Sequence, residues 1–148
     1  MNKSSNNILI KDNSDNGILR LILNDQENKN ALSKTMMEQI KDSLNSASLD
    51  DSVKVIVIAG NGDVFSAGHN LKEITDAREN EDAGKAYFNS LFNLCSSLMQ
   101  LIVNCKKPII AEVNGVSLFI IERTVSAIPQ MEDNSSWEVC QLNLISKY

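Results

Sequence analysis

Short apolar runs along the chain predict a set of β-strands. Residues 7–11 and 17–23 are apolar runs on either side of the polar stretch DNSDNG, and turn-forming residues between two such runs indicate a β-hairpin. The run VKVIVIA at residues 53–59 is β-branched and almost wholly apolar, which is typical of a strand covered on both faces. A further strand is predicted at residues 108–113, because proline is tolerated as the first residue of a strand.

Two segments between these strands carry apolar residues at helical spacing. The first follows Ser33, whose hydroxyl suits a helix N-cap, and it places Met37, Ile40 and Leu44 on one face. The second is longer, with an apolar stripe over residues 87–102. Strands that alternate with helices in this way predict an α/β fold with right-handed crossovers and largely buried parallel strands. Ligands in such folds bind beyond the carboxyl ends of the strands.

Composition and charge limit the classes of function. A chain of 148 residues with 43% hydrophobic content suffices for one domain with a sizeable core. The formal net charge of −5 repels phosphate backbones and anionic bilayers, so we expect neither nucleic acid nor a membrane as a partner. No run approaches the roughly 20 apolar residues of a membrane-spanning helix. The N-terminal segment lacks the features of a targeting peptide, which favours a cytoplasmic protein, with the mitochondrial matrix as the alternative.

The cysteines give no sign of a covalent framework or a metal site. Cys95, Cys105 and Cys140 are odd in number and show no CxxC spacing. We therefore expect reduced thiols and no bound metal.

Four stretches, in order and at consistent spacing, resemble the crotonase (enoyl-CoA hydratase/isomerase) family. They are NGILRLILND from residue 16, ENKNALSKTMMEQI from residue 27, VKVIVIAGNGDVFSAGHNLKE from residue 53 and KKPIIAEVNGV from residue 106. The most specific part is FSAG followed by NLKE after an apolar strand. Histidine directly follows the glycine of this motif, at Gly68-His69. In this feature the chain resembles the enoyl-CoA hydratase domain-containing protein 3 branch of the family.

The resemblance implies a fold and a division of the chain. The fold is the ClpP/crotonase type, an α/β spiral of ββα units. Residues 6–116 would form the N-terminal part of an acyl-CoA domain, and residues 117–148 would be a divergent tail, so the spiral is expected to be truncated. The family is trimeric or hexameric, but the helices that usually form the trimer are not recognised in this sequence.

The resemblance also implies a chemistry. Family members act on acyl-CoA thioesters in fatty acid metabolism, with the coenzyme A thioester as substrate and no further cofactor or metal. Two backbone N–H groups polarise the thioester carbonyl, and fixed donors of this kind stabilise the charge that develops on the oxygen. One donor maps to the backbone N–H of His69, and the small residues Ala67 and Gly68 leave room for close approach.

The remaining candidate substrate-binding residues lie in three segments. Lys29, Ala31 and Leu32 match the loop where family members meet coenzyme A, and a lysine suits a contact with phosphate. Further candidates are the residues that follow the FSAG motif and the glycine of the later NGV stretch, namely Asn70, Leu71 and Gly115.

Several tempting residues have simpler interpretations. The His69 imidazole invites a role as general base, but no nucleophile or orienting acid lies at a suitable spacing. The stripe at residues 87–102 could line an acyl pocket, although core packing is the more common role of such a stripe. The charge pairs Lys72-Glu73 and Lys106-Lys107 are interpreted as solvated surface.

The resemblance ends after Val116. The glycine triplet that would precede the second donor falls on the bulky segment 119–121, and the first catalytic glutamate falls on Arg123. Glu122 is one residue away, which on a helix rotates a side chain by about 100°. Three hypotheses follow: an enoyl-CoA hydratase/isomerase-like enzyme, a non-catalytic protein that binds coenzyme A or another chain, or a poorly folded remnant.

Overall fold

The computed structural model describes residues 7–14, 17–114 and 116–117. Its first feature is the predicted hairpin. Strand β1 (Leu9–Ser14) pairs antiparallel with β2 (Ile18–Leu23), in a register that sets Leu9 opposite Leu23. The hairpin prediction is therefore confirmed.

The main sheet has four strands, and three of them run parallel to one another. Strand β3 (Val55–Gly60) lies between β2 and β5 (Ile109–Glu112), and the order across the sheet is β1-β2-β3-β5. The predicted strand at 53–59 begins two residues late, because Val53 still belongs to the turn, where its N–H donates to Asp50 O across 3.1 Å. A second, two-stranded parallel sheet joins β4 (Val64–Ser66) to β6 (Val116–Ser117).

Three α-helices connect these strands. Helix α1 (Lys34–Leu49) follows a short 3-10 turn (Gln26–Asn28), helix α2 (Leu71–Ala77) follows β4, and helix α3 (Lys85–Val103) precedes β5. Ser33 caps α1 as predicted, because its Oγ accepts from the N–H of Met36 at 3.1 Å.

The hydrophobic core lies between one face of the main sheet and helices α1 and α3. Leucine at alternate positions of β2 points into this layer, and so do the apolar faces of both helices. Full burial of one such side chain contributes about 1.5–3 kcal/mol. The side chains that are less than 2% exposed include Leu9, Leu21, Leu23, Met36, Met37, Leu44, Ile56 and Leu98. Core packing of α3 is thus confirmed for Leu98, and also for Leu91, which is 2% exposed.

The opposite face of the sheet carries charge and exposed apolar surface. Arg20 on β2 and Glu112 on β5 form an ion pair of 2.5 Å across β3. Ile110 on the same face is 52% exposed. The fold therefore concentrates its burial on the helix-covered side.

Two further observations concern the cysteines and the membrane. Cys105 is a free thiol, as predicted. Among the helices of the described residues, none is both long and apolar enough to cross a membrane.

Candidate functional site

The chain turns sharply at Gly68, between β4 and α2. Gly68 has φ +82, a left-handed conformation that glycine adopts without strain. A Cβ atom added at this position would meet nothing within 4 Å, so the turn borders open space. The small Ala67 before it is only partly buried. A ligand could therefore approach the backbone of this turn closely.

His69 lies between that turn and the first residue of α2. It forms an isolated parallel bridge with Leu32, in which the N–H of Leu32 donates to Gly68 O at 2.7 Å. In a trans peptide the C=O and the following N–H point in opposite directions, so the N–H of His69 points away from Leu32. Because α2 begins only at Leu71, this N–H lies outside the hydrogen-bond ladder of the helix.

The His69 imidazole is partly buried. Burial lowers the pKa of this side chain below its usual value, because desolvation disfavours the charged form. The lowered pKa favours the neutral form of the imidazole.

The loop of residues 29–32 lies directly against the Gly68 turn. The carbonyl of Lys29 accepts a hydrogen bond from the N–H of Ala67 at 3.0 Å, and the N–H of Leu32 donates to the carbonyl of Gly68. The Lys29 side chain is exposed, whereas Ala31 and Leu32 are each 5% exposed. Ala31 and Leu32 therefore present little surface to a ligand. The two segments that the sequence singled out are brought together.

Asn30 and Ser66 hold the two segments in place and were not singled out from the sequence. Asn30 is 1% exposed; its side chain accepts from Asp25 N at 2.8 Å and donates to the carbonyls of Asn61 and Val64 at 3.0 and 2.7 Å. Ser66 Oγ donates to Asn30 O at 2.9 Å. The available signal was the Asn30 residue type, because asparagine tolerates the left-handed conformation that it adopts here with φ 52.

The next candidates, Asn70 and Leu71, have different surroundings. Asn70 is the N-cap of α2, and its Oδ1 accepts from the N–H groups of Lys72 and Glu73 at 3.0 and 3.3 Å. The side chain is thus engaged in capping. Leu71 is 74% exposed at the start of the helix. The candidate Gly115 lies outside the described residues, as do the segment 119–121, Glu122 and Arg123.

Two of the residues interpreted as solvated charges are engaged instead. Glu73 Oε2 accepts from the N–H of Lys34 at 3.0 Å and from the Tyr87 hydroxyl at 2.8 Å, so its interpretation as solvated surface is wrong. Lys107 Nζ donates to the carbonyls of Ala47 and Asp50 at the end of α1, so it is not a free surface charge either. Such a cation satisfies helix carbonyls that otherwise have no helical partner.

Metal ligands do not converge in this part of the chain. Across the described residues, no group of three histidine, cysteine, aspartate or glutamate side chains is placed to hold a metal ion. The candidate site therefore consists of backbone groups, one exposed lysine and the residues that fix them.

Comparison with known proteins agrees with the fold. Residues 13–118 match the sequence profile of the enoyl-CoA hydratase/isomerase family. The mitochondrial enoyl-CoA hydratase domain-containing protein 3 of Xenopus laevis is 44% identical over 104 residues, which are 70% of this chain and 33% of the relative. The chain thus spans about a third of the length of the curated relatives it matches.

Solved structures give the same result. The crystal structure of human enoyl coenzyme A hydratase domain-containing protein 3 superposes with a TM-score of 0.65 at 32% identity, over 73% of this chain and 40% of the human chain. An enoyl-CoA hydratase/isomerase family protein from Silicibacter pomeroyi superposes with a TM-score of 0.64 at 39% identity, over 72% and 43% of the two chains. The predicted crotonase-like α/β fold is confirmed, and the chain belongs to the enoyl-CoA hydratase/isomerase family.

Proposed function

We propose that this chain carries one donor of an acyl-CoA oxyanion site, in which the backbone N–H of His69 donates to the thioester carbonyl oxygen. The observation that carries the proposal is the left-handed turn at Gly68, which borders open space directly before α2. A fixed N–H directed at an oxygen that gains negative charge stabilises the enolate-like state more than the ground state. The reaction class is hydration or isomerisation of an enoyl-CoA.

Lys29 is proposed to bind the phosphate groups of coenzyme A. Its side chain is exposed, and its carbonyl is bonded to the N–H of Ala67, so the ammonium extends from a backbone that is fixed beside the proposed donor. The chain as a whole has a formal net charge of −5, so a polyanionic ligand requires a local cation. The substrate is the coenzyme A thioester itself.

The proposed cellular setting is fatty acid metabolism in the mitochondrial matrix. The name of the Xenopus laevis relative places that protein in mitochondria. We propose the same location here, which was the alternative from the sequence. Fractionation of cells that express the full reading frame, with an antibody against residues 7–114, tests it, and a purely cytosolic signal contradicts it.

A second candidate function is binding of coenzyme A without catalysis. The observation that favours it is Arg123, which stands where the resemblance places the first water-activating glutamate. Arginine at that position supplies no carboxylate to deprotonate the water added to the double bond. Turnover of a short enoyl-CoA by the purified chain separates the two candidates.

The site is tested by titration with two ligands. Binding of free coenzyme A measures the contribution of the Lys29 loop. A conjugated cinnamoyl-CoA thioester measures the action of the His69 N–H, because polarisation of the thioester carbonyl moves the absorbance of the ligand to longer wavelength. We expect both to bind and the thioester absorbance to shift to the red. Binding of coenzyme A without a red shift leaves only the binding function, and the absence of binding by both ligands contradicts the proposal.

A further inference from the structure

Glu73 is a carboxylate at which three helices meet. It lies on α2, its Oε2 accepts from the N–H of Lys34, the first residue of α1, and the same oxygen accepts from the hydroxyl of Tyr87 on α3. The distances are 3.0 and 2.8 Å, so both are ordinary hydrogen bonds. The side chain is only partly exposed, and its two donors come from residues 39 and 14 positions away in sequence.

The charge of Glu73 suits this position. The first N–H groups of a helix have no partner within the helix, and together they carry a partial positive charge. A carboxylate that accepts from Lys34 N therefore stabilises the start of α1. Hydrogen bonds to an ionised acceptor are also stronger than those between neutral groups. Consistent with this contact, burial, the hydrogen bond to Glu73 and its negative charge together raise the pKa of the Tyr87 phenol.

Residues 32–34 are joined to the segment around His69 by hydrogen bonds on both sides of it, and the Glu73 contact is one of them. The first joins the N–H of Leu32 to Gly68 O, one residue before His69, and the second joins Lys34 to Glu73, four residues after it. Both hydrogen bonds reach the entry of α1, residues 32–34. The peptide that bears the His69 N–H is therefore bracketed on both sides by hydrogen bonds to a single short segment.

We infer that Glu73 is a positioning residue, which fixes the direction of the His69 N–H by anchoring the start of α2 to α1 and α3. This inference rests on the proposed role of His69 in binding a thioester. Without the carboxylate, the hydrogen bonds before His69 would remain, from Ala67 N–H to Lys29 O and from Leu32 N–H to Gly68 O, but the segment after His69 would lose its anchor and could pivot. Glu73 itself does not touch the substrate.

The first test needs no ligand. In amide spectra of the 15N-labelled full chain, Glu73→Ala is expected to move the His69 signal and to raise hydrogen exchange at Lys34 by about tenfold or more, as for loss of a hydrogen bond to a charged group. Glu73→Gln keeps an acceptor oxygen and is expected to give a smaller change. Glu79→Ala, at an exposed glutamate just beyond α2, is the matched control and should leave both signals unchanged.

Tyr87→Phe provides a milder variant if Glu73→Ala unfolds. It removes one donor from the carboxylate and keeps the ring, so the His69 signal should move in the same direction but less far. An unmoved His69 signal in Tyr87→Phe together with any folded Glu73 variant overturns the inference, whatever the ligand results are.

The second test uses the conjugated thioester. We expect Glu73→Ala to bind free coenzyme A within about twofold of the original chain, since exposed Lys29 is unchanged, while the red shift falls by at least half. A full red shift in Glu73→Ala overturns the inference. A missing red shift in the original chain instead overturns the role of His69, and the ligand-free spectra still decide whether Glu73 positions the amide.

Discussion

The N–H of Leu32 donates to the carbonyl oxygen of Gly68 at 2.7 Å, and this bond orients the peptide between Gly68 and His69. Since that peptide is planar and trans, the oxygen that faces Leu32 forces the following N–H to the other side. The direction of the proposed donor thus follows from a contact made by the carbonyl. Any change that weakens this bond is expected to act on the donor without touching it.

Two replacements of His69 distinguish the role of its backbone N–H from the role of its imidazole. His69→Ala keeps the N–H, so we expect the conjugated thioester to bind with its red shift within about 20% of the original value, whereas His69→Pro removes the N–H and should abolish the shift. Loss of one such donor typically weakens transition-state stabilisation by about 3–4 kcal/mol.

The thermal melts of both variants serve as the control for folding. If His69→Pro melts cooperatively and keeps the red shift, the assignment of the donor is wrong. If His69→Ala loses the shift while it stays folded, the imidazole rather than the backbone is the active group.

Removal of the Lys29 ammonium is expected to weaken binding of coenzyme A. Lys29→Met keeps most of the side-chain length, so affinity should fall about three- to tenfold, as for loss of one exposed charged hydrogen bond. The effect should shrink at high salt, because exposed charges are screened. Lys106→Met, at another exposed lysine, is the control. Calorimetry measures the affinity of each variant for coenzyme A. Equal affinities of the two variants would mean that the phosphates do not bind at Lys29.

Asn30 is expected to be the residue whose loss most disturbs the site. Asn30→Ala leaves the N–H of Asp25 and the carbonyls of Asn61 and Val64 without their side-chain partner, and it places alanine at φ 52. We expect the free energy of unfolding to fall by about 2–4 kcal/mol. Urea unfolding measures it, with the exposed Asn89→Ala as the control. A loss below about 0.5 kcal/mol would mean that water replaces the side chain without cost.

The stability of the chain should depend on pH through His69. Its pKa is lower in the folded state than in the unfolded state, because burial disfavours the charged ring. At pH values between the folded and unfolded pKa of His69, the unfolded state binds more protons than the folded state, so the free energy of unfolding rises with pH. The contribution of His69 to stability is fully present above the unfolded pKa of about 6.5 and decreases as the pH falls below it. Urea unfolding at pH 8 and pH 5.5 should show a smaller decrease in His69→Ala. An identical decrease in both chains would contradict this.

Local patterns predicted the elements of the fold well. The hairpin, the Ser33 cap and the glycine turn of FSAG each depend on residues a few positions apart, and such signals are readable in a single sequence. The strand predicted at 53–59 begins two residues later in the structure, because Val53 completes a turn. Burial of Leu91 and Leu98 also followed from helical spacing.

The residues that hold the site together could not be predicted in this way. Asn30 bonds to carbonyls 31 and 34 residues away, and Glu73 bonds to an N–H 39 residues away. A sequence pattern gives the type of such a residue but not its distant partner. The interpretation of Glu73 and Lys107 as solvated charges is wrong for this reason. Each side chain is charged, but each forms a hydrogen bond with the end of a helix that is remote in sequence.

Helix α1 has oppositely charged groups at its two ends, and neither comes from a neighbouring residue. The carboxylate of Glu73 accepts from its first N–H, and the ammonium of Lys107 donates to Ala47 O near its last turn. Both charges complement the helix dipole. Helix α1 therefore completes its electrostatic environment only when chain synthesis has passed residue 107, and until then we expect its last turn to fray.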